Sequence, residues 1–440
     1  MSIGDGKRLD PGVFKLDAQR MRTGWYSDFY FINVRDILAA LAAEGYTFGG
    51  ASPLLEELDV APGEVEAGNM EVEMQIFTKR EPFSVVAGTD NAIAMLKLCA
   101  GTFDRDHAFV STWDSLEVEA VQDGTKLAPW VPAMRVRGRY RDFAILETPM
   151  LGAIARRTRI ATNVFQTLVA ARGKEVMFFP ARFDIHETQP GDGYAYRVAI
   201  EAYNEEAGTR LLPFISTDSQ GDWWGESGGG TVSHSYVLCF LKDTVEAMLK
   251  FAEIIPPDVK RIVLVDTDNN CVRDSVGTAR VMFRRYKACL EAGREAEAKK
   301  YVLYAVRPDT ARDMVDASIE PIGDPAVDCG VNPRLIRNIR HGLDAAHEGM
   351  ELPDEWVGRA REYFRRVGIV ATGGFTPERI RLFESLKVPV DIYGVGSYLM
   401  RGEENDFTAD IVRVKINGAW HEMAKAGRRA IDNADLERVT

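Results

Sequence analysis

Between Val259 and Gly396 the chain repeats one pattern: a short apolar run ends in a polar or glycine-rich turn, and amphipathic sequence follows. The runs are VKRIVLVD, ending at Asp266, YVLYAVRPD, ending at Asp309, VGIVATGGF, ending at Phe375, and VPVDIYGVG, ending at Gly396. Runs this short and this continuously apolar suit buried parallel strands. The stretches DSVGTARVMFRRYKACLEAG and TPERIRLFESL between them read as crossover helices. Ahead of the first run, KDTVEAMLKFAEI sets Val245, Met248, Leu249 and Ala252 on one helical face, with Asp243 as cap and Glu246 three residues on. Successive βα units give an α/β class, and turns of this kind after each strand favour a (β/α) barrel over an open sheet.

The flanking sequence differs. NVRDILAALAAEG (Asn33 to Gly45) has a helix pattern, while MEVEMQIFTKR, FSVVAG, LEVEAVQDG, MRVRGRY and FAILE read as strands, so the N-terminal part is α+β. In the tail, ADIVRVKINGAWHEMAK folds back at Asn417-Gly418, a strong hairpin signal, and is expected to rejoin the N-terminal part. A chain of 440 residues is long for one core. The expected division is an α+β domain over 1–148, an α/β-barrel domain over 149–400 and a returning segment over 401–440.

A formal charge of −12 argues against general attraction to nucleic acid or to an anionic membrane surface. The opening MSIGDGKRLDPG lacks the apolar core of a secretion signal and no window has the apolar length of a membrane span, so a cytoplasmic location is expected. The five cysteines are widely spaced and never form CxxC, which favours buried free thiols over disulfides or a zinc knuckle.

In a (β/α) barrel the chemistry gathers where the strands end. Gly373 and Gly374 follow one strand and Gly394 and Gly396 accompany the next; glycine lets backbone N–H groups approach a phosphate, and Thr376-Pro377 begins a helix whose N-terminus adds positive potential. Arg307 and Asp309 lie two residues apart, as a clamp for an anion or ring beside a carboxylate for sugar hydroxyls, or as a plain ion pair. Asp266 and Asp268 could orient a histidine or approach a metal. Upstream, FFPARFDIHET brings Arg182 and His186, and GESGGGTVSHSYVLCF carries His234 from a glycine run to the start of an apolar, strand-like segment.

These pieces, ETPMLGAIARRTRIAT, GTVSHSYV, IVLVDTDNN, YAVRPDT, ATGGFTPERI and DIYGVGSYL in that order, resemble the nicotinate phosphoribosyltransferase family, the type II phosphoribosyltransferases, over about Ser27 to Lys425. The resemblance implies an irregular (β/α) barrel beside an α+β domain built from both chain ends. It implies joining of nicotinate to phosphoribosyl pyrophosphate in NAD salvage, driven by ATP, with Mg2+ on the pyrophosphate. By the same resemblance His234 is phosphorylated by ATP and Asp266 orients it. Arg182 and His186 hold pyrophosphate, Arg307 covers the pyridine ring, and Asp309 takes ribose hydroxyls. Gly373, Gly374, Gly394 and Gly396 receive the 5'-phosphate, and Tyr30 stacks on the base in a neighbouring subunit's site, which makes a homodimer or larger homo-oligomer the expected assembly.

Two departures stand out. The family's DSGD is Asp309-Thr310-Ala311-Arg312 here, with a base in place of an acid, and Asp218 in STDSQGDWWGE stands where nicotinate enzymes tend to have serine and nicotinamide enzymes an aspartate. Asp218 keeps nicotinamide open as the base, and Trp223-Trp224 suggests a pocket of unusual shape. A barrel kept as a ligand sensor is a second class; it would have little need of His234, Asp266, Arg307 and Asp309 together. A sugar-phosphate lyase or isomerase would want a lysine or paired carboxylates at the strand ends.

Overall fold

The computed structural model describes residues 7–439; residues 1–6 and 440, which include the start of the stretch read for a secretion signal, lie outside the described residues. In chain order, the main strands are β1 (Glu71–Thr78), β2 (Glu117–Ala120), β3 (Pro132–Arg139), β4 (Glu175–Phe178), β5 (Ile262–Leu264), β6 (Ala305–Arg307), β7 (Gly368–Ala371), β8 (Ile392–Val395), β9 (Phe407–Ile416), β10 (Ala419–Glu422) and β11 (Glu437–Arg438).

The flanking strands form an antiparallel sheet, in the order β10-β9-β1-β3-β2-β11 among the described residues. Strand β1 pairs along its two edges with β9 and β3, and its alternate residues serve two faces. Val72, Met74 and Ile76 enter an apolar core with Val118, Met134 and Val136. On the other face Glu73 is fully buried and is bonded by Arg137 Nε at 2.8 Å and Arg413 Nη1 at 3.1 Å, so the charge is paired rather than stranded. The tail hairpin turns at Asn417 and Gly418 with φ of 50° and 80°, the left-handed pair that a two-residue turn requires.

The repeated apolar runs form a parallel sheet in the order β4-β8-β7-β6-β5. It does not close among the described residues, so the expected ring of strands is found as an open sheet. Beyond β4 a single bridge joins Phe178 to Ile215. The chain there cannot extend the ladder, because Pro213 lacks an N–H and the next backbone groups turn into a short 3-10 helix, Asp218–Gly221. Two other expectations change. His234 begins a helix, His234–Cys239, capped by the Ser233 side chain, rather than a strand. FAILE is a buried 3-10 turn, Ala144–Leu146, that leads into the helix Glu147–Ala171.

That long helix joins the two halves of the molecule. Met150 and Ile154 pack into the antiparallel sheet's core, and Ile160, Val164, Phe165 and Leu168 pack into that of the parallel sheet. Trp223 belongs to the second core, edge-on to Phe14 at 4.9 Å, and Arg157 lies 4.9 Å over its ring. The tryptophan pair is therefore packing rather than the wall of an unusual pocket. All five cysteines are free; Cys99, Cys271 and Cys289 are buried, whereas Cys239 is exposed, contrary to the expectation of buried thiols. Among the described residues no helix is long and apolar enough to cross a membrane.

Candidate active site

Side chains that follow the parallel strands meet at one edge of the sheet. Asp266, just beyond β5, places Oδ2 3.0 Å from His234 Nε2. With Asp266 ionised, the imidazole proton sits on Nε2, and the Nδ1 lone pair is left on a side chain about half exposed. Burial, opposed by His234 and aided by the charge of Asp309, raises the pKa of Asp266, which makes it a readier proton acceptor than a surface carboxylate.

Arg307, at the end of β6, donates from Nη2 to the Val232 carbonyl at 3.0 Å, tying the approach to His234 to the sheet. Its Nη1 lies 3.5 Å from Asp309 Oδ2, a weak contact, and its Nε is buried without a partner. Burial lowers its pKa, while Asp309 and Asp266 favour its charge and Arg182 opposes it. Asp309 is fixed from β7: Thr372 Oγ1 donates to Asp309 Oδ1 at 2.9 Å. Asp266 Oδ1 and Thr267 Oγ1 are also buried without hydrogen-bond partners. Buried polar atoms without a protein partner occur elsewhere in the chain as well, but these three lie where the other candidate groups meet and suit a polar ligand there.

After β7 the chain turns through Gly373 and Gly374 at φ of 97° and 74°, and Thr376 caps the helix Pro377–Ser385 by accepting from Arg379 N–H. Among the described residues, the N–H groups of Gly373, Gly374, Phe375 and Thr376 donate to no protein acceptor. Their carbonyls are occupied: Arg379 Nη1 donates to Gly373 O at 2.7 Å and Arg312 Nη2 to Gly374 O at 3.2 Å. Gly394 and Gly396 differ from this pair. Gly394 lies within β8, where an added Cβ would stand 2.5 Å from Thr372 Cγ2 and 2.9 Å from the Phe179 ring. Gly396 starts the next short helix under Phe183, whose ring would meet a Cβ at 2.7 Å.

Arg182 stands in the loop after β4, exposed, close enough to Arg307 to oppose its charge. The loop is held by Arg156, which bonds Asp184 Oδ2 at 2.6 Å and Asp192 Oδ1 at 2.8 Å, so the ARRTR sequence supports the mouth from behind. His186 lies farther along the loop, almost fully exposed, beside Glu187. Asp218 Oδ1 accepts from the Gly228 N–H at 2.9 Å, so this oxygen serves the glycine run and not a ligand. Tyr30 is outside the cluster: it lies on the helix Phe29–Glu44, tilted against Phe31 at 4.3 Å and more than half exposed. Asp268 is exposed and paired with Arg273 at 2.9 Å.

The edge thus combines a histidine with a free ring nitrogen, a carboxylate that can take its proton, a buried cation, a second carboxylate, and a row of unpaired N–H groups at a helix start. Sequence reasoning had marked most of these. It passed over Thr372, Arg312 and Arg379 as parts of the site, although Arg312 was marked as a departure; Thr372 could have been found as the polar residue directly after an apolar run.

Known proteins resemble this chain in sequence and in fold. A family model described as "Quinolinate phosphoribosyl transferase, N-terminal domain" matches residues 59–158. The chain is 30% identical over 312 residues to nicotinate phosphoribosyltransferase 2 of Arabidopsis thaliana, covering 65% of this chain and 51% of the relative. It is 25% identical over 289 residues to nicotinate phosphoribosyltransferase pncB2 of Mycobacterium tuberculosis, covering 66% and 49%. The chain thus spans about half the length of the curated relatives it matches. Its fold is shared with a nicotinate-nucleotide pyrophosphorylase from Pyrococcus furiosus, at 24% identity and a TM-score of 0.61, covering 94% of this chain and 80% of that one. Matched in sequence by the quinolinate phosphoribosyl transferase N-terminal model over residues 59–158, in sequence to about half the length of curated relatives, and in fold along nearly its whole length, the chain is similar to the nicotinate phosphoribosyltransferases.

Proposed function

We propose that the protein transfers the phosphoribosyl group of phosphoribosyl pyrophosphate to nicotinate, giving nicotinate mononucleotide and pyrophosphate, with ATP as the driving co-substrate. The observation that carries this reading is the His234–Asp266 pair, set at 3.0 Å beside Arg307, Asp309 and the unpaired N–H groups of Gly373 to Thr376. In the transfer, the bond from ribose C1 to pyrophosphate breaks and a bond to the pyridine nitrogen forms, with positive charge developing on the ribose. Asp309 is suited to the ribose hydroxyls and to that charge, Arg307 to the pyridine ring or its carboxylate, Arg182 to the pyrophosphate, and the glycine turn to the 5'-phosphate. Catalysis is then positioning and charge stabilisation.

For ATP coupling, the His234 Nδ1 lone pair attacks the terminal phosphorus, ADP leaves, and the Nε2 proton can pass to Asp266, whose raised pKa suits it as acceptor. Hydrolysis of the phosphohistidine returns the imidazole and inorganic phosphate. Magnesium fits this edge: Asp266 Oδ1 is a buried oxygen without a partner and Asp309 is near enough to act on it electrostatically, while among the described residues no cluster of three or more His, Cys, Asp or Glu could hold a metal alone. An ion carried mainly by substrate phosphates, touching one or two carboxylates, would neutralise the leaving group.

The nicotinamide reading rests on Asp218. Its Oδ1 is engaged by the Gly228 N–H, which leaves only Oδ2 to face a base, and the named relatives favour nicotinate. Self-association, with Tyr30 serving a neighbour's site, is supported by its exposure beside the still more exposed Phe29, at 58% and 72%. The assay is mononucleotide formation from phosphoribosyl pyrophosphate and nicotinate, with and without ATP, in wild type and His234→Ala. Turnover stimulated by ATP only in wild type is expected; equal stimulation in the variant removes His234 from the coupling role.

A further inference from the structure

Arg312 occupies the place where the family motif has an acid, and although exposed it is engaged, donating from Nη2 to Gly374 O at 3.2 Å. An added Cβ on Gly374 would stand 1.9 Å from Arg312 Nη2 and 2.6 Å from its Cζ, so the guanidinium lies directly against the Gly374 backbone. Arg379 reaches the same turn, donating from Nη1 to Gly373 O at 2.7 Å and more weakly to Gly374 O at 3.4 Å, and from Nη2 to Val331 O at 2.5 Å, with its guanidinium 4.5 Å over the Phe375 ring. Neither arginine is paired with a carboxylate among the described residues. The pKa of Arg379 is lowered by burial and then by Arg312, with no acid acting to restore it.

In a planar trans peptide the C=O and the following N–H point in opposite directions. A donor fixed on Gly373 O therefore turns the Gly374 N–H the other way, and a donor fixed on Gly374 O does the same for Phe375 N–H. Both N–H groups lack a protein acceptor. Hydrogen bonds from cations also polarise the peptide and strengthen its far donor. Two uncompensated charges add a local potential that prefers a dianion to a monoanion.

Resting on the phosphoribosyl reading above, we propose that Arg312, acting with Arg379, is a positioning residue that clamps the Gly373–Gly374 carbonyls from behind and so aims and polarises two backbone N–H groups at a phosphate dianion. The acid-to-arginine departure then changes how the phosphate is held and gives this chain a stronger preference for the doubly ionised group.

The test is direct binding of ribose 5-phosphate by calorimetry to the full chain and to Arg312→Ala, Arg312→Gln and Arg312→Lys, between pH 5.5 and 7.5, with thermal melts to show that each variant is folded. Expected is a loss of roughly tenfold in affinity for Arg312→Ala at pH 7.5, on the order of one charge-assisted hydrogen bond. Arg312→Lys should recover most of it and Arg312→Gln only part. The gain in affinity as the phosphate loses its second proton, near pH 6, should be larger in wild type than in Arg312→Ala. In turnover, KM for phosphoribosyl pyrophosphate should rise while KM for nicotinate and kcat stay within about twofold. Wild-type affinity and pH profile in a folded Arg312→Ala would overturn the inference while leaving the proposed reaction intact. Failure of wild type to bind ribose 5-phosphate would overturn both. Binding altered as expected without turnover of any pyridine base would uphold the clamp and sink only the proposed reaction.

Discussion

At the scale of single residues, the direction of the imidazole decides what His234 can do. Asp266 on Nε2 leaves Nδ1 as the available nucleophile, with the acid placed to accept the proton that the proposed phosphorylation would displace. Asp266→Asn keeps the size and one acceptor but cannot take that proton. ATP stimulation is predicted to fall by at least about a hundredfold in this variant, with ATP-independent transfer changed only a few-fold; equal losses in both would mean that Asp266 serves the sugar chemistry instead. Asp218 gives a contrasting case. Because its carboxylate accepts from Gly228, Asp218→Asn should preserve that bond and leave the ratio of nicotinate to nicotinamide turnover within about twofold. A larger change in competition assays would place the side chain against the base. His234, Asp266, Arg307 and Asp309 were legible in the sequence because each directly follows an apolar run or sits in a recognisable short motif. Arg312 was legible only as an oddity, since its meaning depends on a carbonyl 62 positions away that it meets only in the folded chain.

At the scale of elements, the glycine run Gly228–Gly230 reads in the sequence as a loop free to move. In the structure two of its members are there for close packing. A Cβ at Gly228 would lie 2.6 Å from the Thr217 carbonyl carbon and one at Gly229 2.9 Å from the Phe214 ring, whereas Gly230 faces open space. Gly228→Ala is thus predicted to lower the melting temperature markedly, by a cost of at least about 2 kcal/mol, because backbone must shift. Gly230→Ala should melt within about 2 °C of wild type, since nothing crowds it. Similar losses in both would contradict the packing account. Strands and crossover helices were readable from periodicity, as were the Asp243 and Thr376 caps and the Asn417-Gly418 turn, because each rests on local chemistry. The open edge of the parallel sheet was not, because closure depends on which backbone groups pair across distant segments. The helical start of HSYVLC was missed for a related reason: a brief apolar run fits either period, and the Ser233 cap decided it.

At the scale of the whole molecule, the helix Glu147–Ala171 couples the two cores, and its first residue carries a pH-dependent strain. Burial, with smaller effects from Asp410 and Asp28 and against the hydrogen bond to Tyr140, pushes the Glu147 carboxyl up to about 7. The sign follows from proton uptake: between the ordinary carboxylate pKa and about 7 the folded chain holds a proton that the unfolded chain has released, so stability falls as pH rises through that window. The effect is at most about 3 kcal/mol. Glu147→Gln should therefore melt higher than wild type at pH 8 and nearly level with it at pH 4.5; a difference independent of pH would contradict the assignment. The central claim concerns what the strand-end cluster does, and one experiment meets it most directly. Purified protein is given phosphoribosyl pyrophosphate, magnesium and ATP, with nicotinate, nicotinamide and quinolinate in parallel, while mononucleotide, pyrophosphate and acid-labile phosphohistidine are followed. The account predicts turnover of nicotinate, stimulated by ATP, with phosphate carried on His234. Turnover of nicotinamide or quinolinate in its place, or no turnover of any base with a folded protein, would contradict it.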